Sequence, residues 1–198
     1  MAALLAAGLL GGCAAPAPAV GPPSPAASAS PEATAESMSI WSPAVADGRL
    51  LTAFRCEPRV DGIEASIPLA WSGVPAGTAS LAIGMSHHLD PSDPTRVSGY
   101  LELWAIPPTV TAIPAGGAGD GPWFMGANKD LVTVSYTSPC SKGKGTHEYT
   151  IELFALGATP ASLPARSSLE VTYPVLVAAV ATVPVLATAT FTFADTTP

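Results

Sequence analysis

The chain has 198 residues, of which only 12% are charged, and it contains 18 glycines and 22 prolines. This composition argues against a helical protein and is typical of short strands joined by tight turns. The formal net charge is −7 and the eight lysines and arginines form no basic stripe, so nucleic-acid binding is excluded.

The N-terminal segment predicts export. After Met1, residues 2–10 are only alanine, leucine and glycine, and they lead into Leu9-Leu10-Gly11-Gly12-Cys13. This ending resembles a bacterial lipobox, in which the cysteine receives a diacylglycerol group. The basic residues usual in such leaders are absent before Arg49. We interpret residues 1–12 as a lipoprotein signal peptide and Cys13 as the lipidation site; the alternative is an ordinary cysteine in an alanine-rich leader.

Lipidation would fix the location of the protein. Each buried methylene of an acyl chain contributes about 0.8 kcal/mol, so two chains on one cysteine anchor firmly. We expect an exported protein of the cell envelope, held by its lipid on the outer side of the cytoplasmic membrane. Residues 13–38 are rich in alanine, proline and serine and have little to bury, which predicts a disordered tether. The domain proper is predicted at 39–195.

The domain sequence predicts strands. Alternating or β-branched segments occur at 50–55, 80–86, 99–106, 131–136, 148–156 and 185–193, with turn-forming residues between them. One helix is predicted at 172–182, capped by Thr172 and with Pro174 in its first turn, where proline is tolerated. The fold class is therefore mainly β, an antiparallel β-sandwich with a short C-terminal helix.

A dense motif identifies a family resemblance. Residues 67–82 read Ile-Pro-Leu-Ala-Trp-Ser-Gly-Val-Pro-Ala-Gly-Thr-Ala-Ser-Leu-Ala. Later, 136–140 read Tyr-Thr-Ser-Pro-Cys and 147–149 read His-Glu-Tyr. Together these motifs resemble the phosphatidylethanolamine-binding protein (PEBP) family, also called the Raf kinase inhibitor-like proteins. The resemblance covers nearly all of the domain and implies the same β-sandwich.

The resemblance also implies a function. Members of the family have a small pocket for phosphate or phospholipid headgroups, and they are generally not enzymes. We therefore expect a binding protein without a cofactor, whose ligand is a small anionic or phospholipid-like molecule. The alternative is a protein-interaction module that inhibits a protease or kinase through the loops at 90–98 and 114–130.

The predicted pocket departs from the family pattern. Aligned without gaps, the family's Asp-Pro-Asp-Ala-Pro motif falls on residues 87–91, which begin with His87 and His88, and the family histidine falls on Tyr100. Both signature aspartates are then missing; a gapped alternative would use the aspartates at 90 and 93 instead. The resemblance thus implies a ligand-binding set without these carboxylates, made of His88, Tyr100, Gly126, Tyr136 and His147. The two histidines of this set have an alternative role as structural hydrogen-bonding groups.

Metal binding and crosslinking complete the predictions. His87 and His88 are adjacent on a predicted strand and point to opposite faces, so they cannot easily share a metal ion, and no metal site is expected. Cys56 and Cys140 remain once Cys13 is lipidated, and an even pair outside the cytoplasm tends to oxidise. In the family both positions border the pocket. A Cys56–Cys140 disulfide is predicted, with two buried thiols as the alternative.

Overall fold

The computed structural model describes residues 37–56, 65–90, 92–93, 95–141 and 143–197. The predicted signal peptide, Cys13 and most of the predicted tether lie outside the described residues. Met38, which the sequence assigned to the tether, is partly buried against the core. Among the described residues, no helix combines the length and the apolar character needed to cross a membrane.

The described residues form ten strands and one α-helix. In chain order the strands are β1 (Ser39–Trp41), β2 (Val45–Ala46), β3 (Arg49–Leu50), β4 (Leu69–Ser72), β5 (Ser80–His88), β6 (Val97–Ile106), β7 (Ala112–Ile113), β8 (Phe124–Met125), β9 (Gly145–Leu156) and β10 (Val185–Thr197). Helix α1 spans Tyr173–Val180, and 3-10 turns occur at Thr52–Phe54 and Gly117–Gly119.

The strands are arranged in two sheets. The smaller sheet has the order β1-β4-β7, and the larger has the order β2-β3-β10-β9-β5-β6-β8. Pairing is antiparallel except where β10 meets β3 in parallel, at Ala194 opposite Arg49. The predicted fold class, a mainly β sandwich with one short helix, is confirmed.

The main core lies between the sheets. Strand β5 contributes Leu81, Ile83 and Met85, all with no exposed surface, and Trp71 of β4 is a large buried residue from the smaller sheet. Complete burial of such a side chain stabilises the fold by roughly 1.5–3 kcal/mol. The alternation of apolar side chains toward this core therefore fixes the register of the larger sheet.

Helix α1 covers the other face of the larger sheet. Its Leu176 and Val180 belong to a second cluster that includes Ala82 of β5 and Trp104 of β6. Strand β5 is consequently buried on both faces, which explains why residues 81–85 are almost all apolar instead of alternating. The helix has Pro174 in its first turn, as predicted, while Thr172 at the cap position makes no side-chain capping hydrogen bond.

Two predicted strands are wrong. In the segment 50–55 only residue 50 is in a strand, and Thr52–Phe54 forms a 3-10 turn. The segment 131–136 is a loop with one isolated bridge. There the Asn128 Oδ1 accepts hydrogen bonds from the backbone N–H groups of Val132 and Thr133, and Leu131 adopts a left-handed φ of 61°. Local capping by an asparagine side chain competes with strand pairing, so the β-branched residues here do not form a ladder.

A disulfide joins the turn after β3 to the segment before β9. Cys56 and Cys140 are 84 residues apart in sequence, and their Cα atoms are 5.5 Å apart, within the normal range for a disulfide. The predicted bridge is therefore confirmed. Next to it, the Nε of Arg55 lies 2.8 Å from the Asp195 Oδ1, and the same guanidinium donates to the Thr196 carbonyl oxygen. These contacts hold the end of β10 near the bridge.

Removing the disulfide should destabilise the domain. In a Cys13→Ser background, replacing Cys56 and Cys140 by serine should lower the free energy of unfolding by about 4 kcal/mol, because the bridge closes a long loop. Urea unfolding with and without reductant measures this effect. The reductant should destabilise the parent chain and leave the double variant unchanged. Two reactive thiols in the oxidised, denatured parent chain would contradict the bridge.

Candidate functional site

A cavity of about 800 Å³ opens where β5 ends and β9 begins. Strands β5, β6 and β9 contribute side chains to it, and so do the turn after β5 and the segment between β8 and β9. The residues that line it are His87, His88, Leu89, Ser98, Tyr100, Lys129, Asp130, Ser141, Thr146, His147, Glu148 and Thr150.

His87 is the most enclosed histidine of this cavity. It lies on the inner face of β5 with only 8% of its surface exposed, and its Nδ1 is 2.8 Å from the Glu148 carbonyl oxygen. Because a carbonyl oxygen only accepts, Nδ1 carries the hydrogen, and in the neutral ring Nε2 is an acceptor. The ring meets that of His147 edge-on with centroids 5.4 Å apart.

Burial sets the charge of His87. It lowers the pKa of the imidazole below the ordinary 6.5, and the nearby His147, His88 and Lys129 act in the same direction, partly opposed by the hydrogen bond to the Glu148 carbonyl oxygen. The ring is therefore neutral at neutral pH. A negative charge brought close to it would favour the imidazolium form and raise its pKa.

Tyr100 lines the inner wall of the cavity, and Tyr149 packs against its ring. Met85 pairs with Leu101 and Ser86 pairs with Gly99, so Tyr100 is the extra residue of a β-bulge and turns toward the core. Its ring meets that of Tyr149 at 90°, with centroids 5.1 Å apart.

Ser141 connects the two phenols. Its Oγ lies 2.8 Å from the Tyr149 hydroxyl and 3.5 Å from the Tyr100 hydroxyl, and its backbone N–H donates to the Tyr149 hydroxyl at 3.2 Å. Burial raises the pKa of both phenols, so they stay protonated and keep a hydrogen to donate. Ser141 follows Cys140 directly, and the disulfide therefore fixes the segment that holds these hydroxyls together.

Charged groups lie at the rim. The Lys129 Nζ is 3.4 Å from the Cys140 carbonyl oxygen and 5.7 Å from the centroid of the Tyr100 ring. His88 is exposed on the opposite face of β5 from His87. Two carboxylates, Asp130 and Glu148, also line the cavity. One lysine and three histidines thus line the cavity together with two carboxylates.

Three of the five predicted ligand-binding residues line this cavity. They are His88, Tyr100 and His147. Gly126 and Tyr136 do not. Tyr136 is buried in the main core. The Gly126 N–H donates to the Glu102 carbonyl oxygen at 2.8 Å, and a β-carbon at this position would collide with the Val171 carbonyl oxygen. Gly126 therefore permits close backbone packing.

The sequence reading missed His87, Lys129, Ser141 and Tyr149 as site residues. For two of them the alternation of side chains along a strand was a usable signal. His87 is two residues after Met85 and four after Ile83, so it shares their inner face, and Tyr149 is two residues after His147 and shares its face. Ser141 and Lys129 come from loops, where no periodicity applies. Among the described residues, no group of three or more histidine, cysteine, aspartate or glutamate side chains is placed to hold a metal ion.

The structure is thus a β-sandwich of two sheets with a cavity lined by histidine and tyrosine side chains at the strand ends. The sequence model of the family described as phosphatidylethanolamine-binding protein matches residues 41–193. This match covers most of the chain, and the chain therefore belongs to the phosphatidylethanolamine-binding protein family.

Individual proteins agree with this assignment. A UPF0098 protein of Methanothermobacter thermautotrophicus is 35% identical over 114 residues, which cover 55% of this chain and 69% of the relative. The crystal structure of the putative PEBP homolog CT736 from Chlamydia trachomatis is similar with a TM-score of 0.66 at 22% identity, covering 82% of this chain and 99% of that one. E. coli YbcL, described as a member of the mammalian PEBP family, gives 0.65 at 22% identity, covering 82% and 100%. At this identity the two structures show the fold.

A structural role for Gly126 has a direct test. Gly126→Ala should destabilise the domain by about 1–3 kcal/mol, because the added methyl group overpacks against the 171 backbone. Gly119→Ala is the matched control, since its β-carbon would meet only the Met125 methyl group at 3.9 Å. Urea unfolding of both variants gives the comparison. An unchanged stability of Gly126→Ala together with weakened anion binding would return Gly126 to the ligand-binding set.

Proposed function

We propose that this chain is a lipid-anchored, extracytoplasmic binding protein whose cavity takes a small anion such as a phosphorylated headgroup, and that it binds this ligand without transforming it. The observation that carries the proposal is the convergence of donors on one cavity: the edge-on pair of His87 and His147, the protonated Tyr100 phenol, and the Lys129 ammonium. Imidazolium, ammonium and phenol groups are all hydrogen-bond donors to anionic oxygens.

The position of His87 adds support. In the gapless alignment it takes the place of the first aspartate of the family motif. An imidazole there removes a carboxylate that would repel a bound anion and adds a group that becomes cationic when protonated. The opposing carboxylates, Asp130 and Glu148, lie beside Lys129 and His147 in sequence, so cationic groups accompany both of them.

Proton linkage follows from the lowered pKa of His87. An anion stabilises the imidazolium, so the pKa of His87 is higher in the complex than in the free protein, and binding takes up a proton. Affinity must then rise as pH falls through the range just below 6.5. A phosphodiester is the suitable probe, because its own charge does not change in this range.

The test is calorimetric titration with dimethyl phosphate. We expect affinity to increase about tenfold between about pH 7.5 and about pH 5, with proton uptake. His87→Gln and His147→Gln should each weaken binding about tenfold, and His87→Gln should flatten the pH dependence. Lys144→Gln, which removes an exposed charge that does not line the cavity, is the control and should bind like the parent. If both histidine variants bound dimethyl phosphate as tightly as the parent, the proposal would be wrong. Hydrolysis of the dimethyl phosphate would contradict binding without chemistry.

Anchoring is tested separately. The Leu9-Leu10-Gly11-Gly12-Cys13 segment supports cleavage before Cys13 and its diacylation. When the full chain is expressed in a bacterium, it should fractionate with membranes. The mature protein, which begins at Cys13, should be heavier than its amino-acid sequence by the mass of the lipid. Cys13→Ser should move the protein to the soluble fraction, because an anchor of two acyl chains is lost. An unmodified mass for the parent chain would disprove lipidation.

A further inference from the structure

A second, smaller cavity lies on the other side of β6. It measures about 250 Å³ and is enclosed by β6, the segment after β8 and the N-terminus of α1. Apolar walls come from Val97, Leu131 and Pro174, and Glu102 of β6 contributes a carboxyl group. The two cavities share only Ser98 and Lys129 among their lining residues.

Glu102 occupies space that two glycines leave free. Gly84 of β5 pairs with Glu102 on one side and with Glu152 of β9 on the other, and a β-carbon on Gly84 would lie 2.9 Å from the Tyr173 ring. A β-carbon on Gly99 would collide with the Glu102 carboxyl group. The absence of both side chains lets the carboxyl group and the phenol ring pack under α1.

The carboxyl group of Glu102 is buried. Glu102 is 1% exposed, and neither of its oxygens has a hydrogen-bond partner among the described residues. Transfer of a polar group from water to such a place is unfavourable unless a partner compensates it. Desolvation alone raises the pKa of Glu102 to about 9, so the group is neutral at physiological pH.

The nearby titratable groups are engaged elsewhere. From α1, the Tyr173 hydroxyl donates to the Glu152 Oε2 at 2.5 Å. Burial, and then this hydrogen bond, raise the pKa of the phenol to about 12, so its one hydrogen stays there. From the segment after β8, the Lys129 ammonium contacts the Cys140 carbonyl oxygen and the Tyr100 ring. Glu152 of β9, which pairs with Gly84, accepts the hydrogen bond from Tyr173 and provides no donor for Glu102. The cavity thus presents an acceptor that no donor of these three residues serves.

We propose that this second cavity binds the ammonium group of a small amphiphilic amine, with the Glu102 carboxylate as its counter-ion. An ammonium supplies both a positive charge and three donors, which is what an unpartnered buried carboxyl group lacks. The ring of Tyr173 adjoins the carboxyl group and its face favours cations. The apolar walls suit a short hydrocarbon chain. The inference is independent of anion binding in the first cavity, which has the opposite charge preference.

Binding at this site must release a proton. The free protein holds Glu102 as the neutral acid, and the amine arrives as the ammonium ion. The pair forms when the Glu102 hydroxyl loses its proton to solvent, leaving carboxylate and ammonium in contact. With the pKa of the free site near 9, the association constant should rise about tenfold per pH unit between about pH 6 and about pH 8 and level off above 9.

The experiment titrates the Cys13→Ser full chain with n-butylammonium, n-butanol and n-butyrate at several pH values. Calorimetry in two buffers of different ionisation enthalpy counts the protons released. We expect n-butylammonium to bind at least tenfold more tightly than n-butanol, with close to one proton released at pH 7 and with n-butyrate weakest. Its affinity should change less than threefold when dimethyl phosphate is present, because the two cavities share only Ser98 and Lys129 and the Glu102 carboxyl group lines the second cavity alone.

Glu102→Gln is the decisive variant. The amide has the same shape and no charge, so the variant should fold, lose at least tenfold in n-butylammonium affinity and lose the pH dependence. Glu152→Gln is the matched control, because its amide oxygen still accepts from Tyr173, and it should bind within threefold of the parent. Equal affinity for the amine and the alcohol, tighter binding of n-butyrate, or an unchanged pH slope in Glu102→Gln would each overturn the proposal.

Discussion

Burial of β5 on both faces is the constraint from which both cavities follow. The smaller sheet covers one face and α1 covers the other, so every side chain of the strand up to Met85 lies in a packed layer. Alternation then sends successive residues to opposite layers. Beyond Met85 the same alternation places the His87 side chain on the inner face of β5. On the helix side it leaves Gly84 as a gap, which Tyr173 and Glu102 flank.

The polar groups of the two sites are stabilised in different ways. In the larger cavity Ser141 satisfies two buried phenols at once, and the disulfide at Cys140 holds the serine in place. A network of this kind is rigid because every member has a partner. Glu102 represents the opposite case, a buried group to which the described part of the chain provides no hydrogen-bond partner. Cores rarely keep such groups without a reason in ligand binding or chemistry.

Much of the architecture was predictable from the sequence because hydrophobic periodicity is a local signal. The long strands β5, β6, β9 and β10 and helix α1 all coincide with predicted segments, and the structure extends each of the strands by two to four residues. The failure at 131–136 has a local cause that periodicity does not contain, the capping by Asn128. The short strands β2, β7 and β8 have only two residues each, too few for any period to be visible.

The site was predicted less well, for physical reasons that differ among its residues. Tyr100 and His147 came from family motifs and do line the cavity, but the motif containing Gly126 reflected backbone packing. The resemblance selects His88, whereas alternation along β5 places His87 on the inner face. Glu102 lies between Leu101 and Leu103, a pattern that predicts a solvent-exposed side chain on an ordinary strand. Only the position of α1 shows that this face of β6 is buried. A helix more than 70 residues later in the chain covers it, and a short sequence window around Glu102 contains no information about that contact.

The bulge at Tyr100 has a consequence for how such chains diverge. Because one extra residue separates the two halves of β6, parity before Gly99 and after Leu101 runs in opposite phase. Losing Tyr100 would leave both halves of β6 paired to β5 in the same register and restore a regular alternation, so the remaining side chains would keep their faces. A single-codon deletion there can therefore remove one side chain from the first cavity without exchanging the two surfaces of the strand. Counting by twos along β6 across Tyr100 would instead assign the residues before it to the wrong surface.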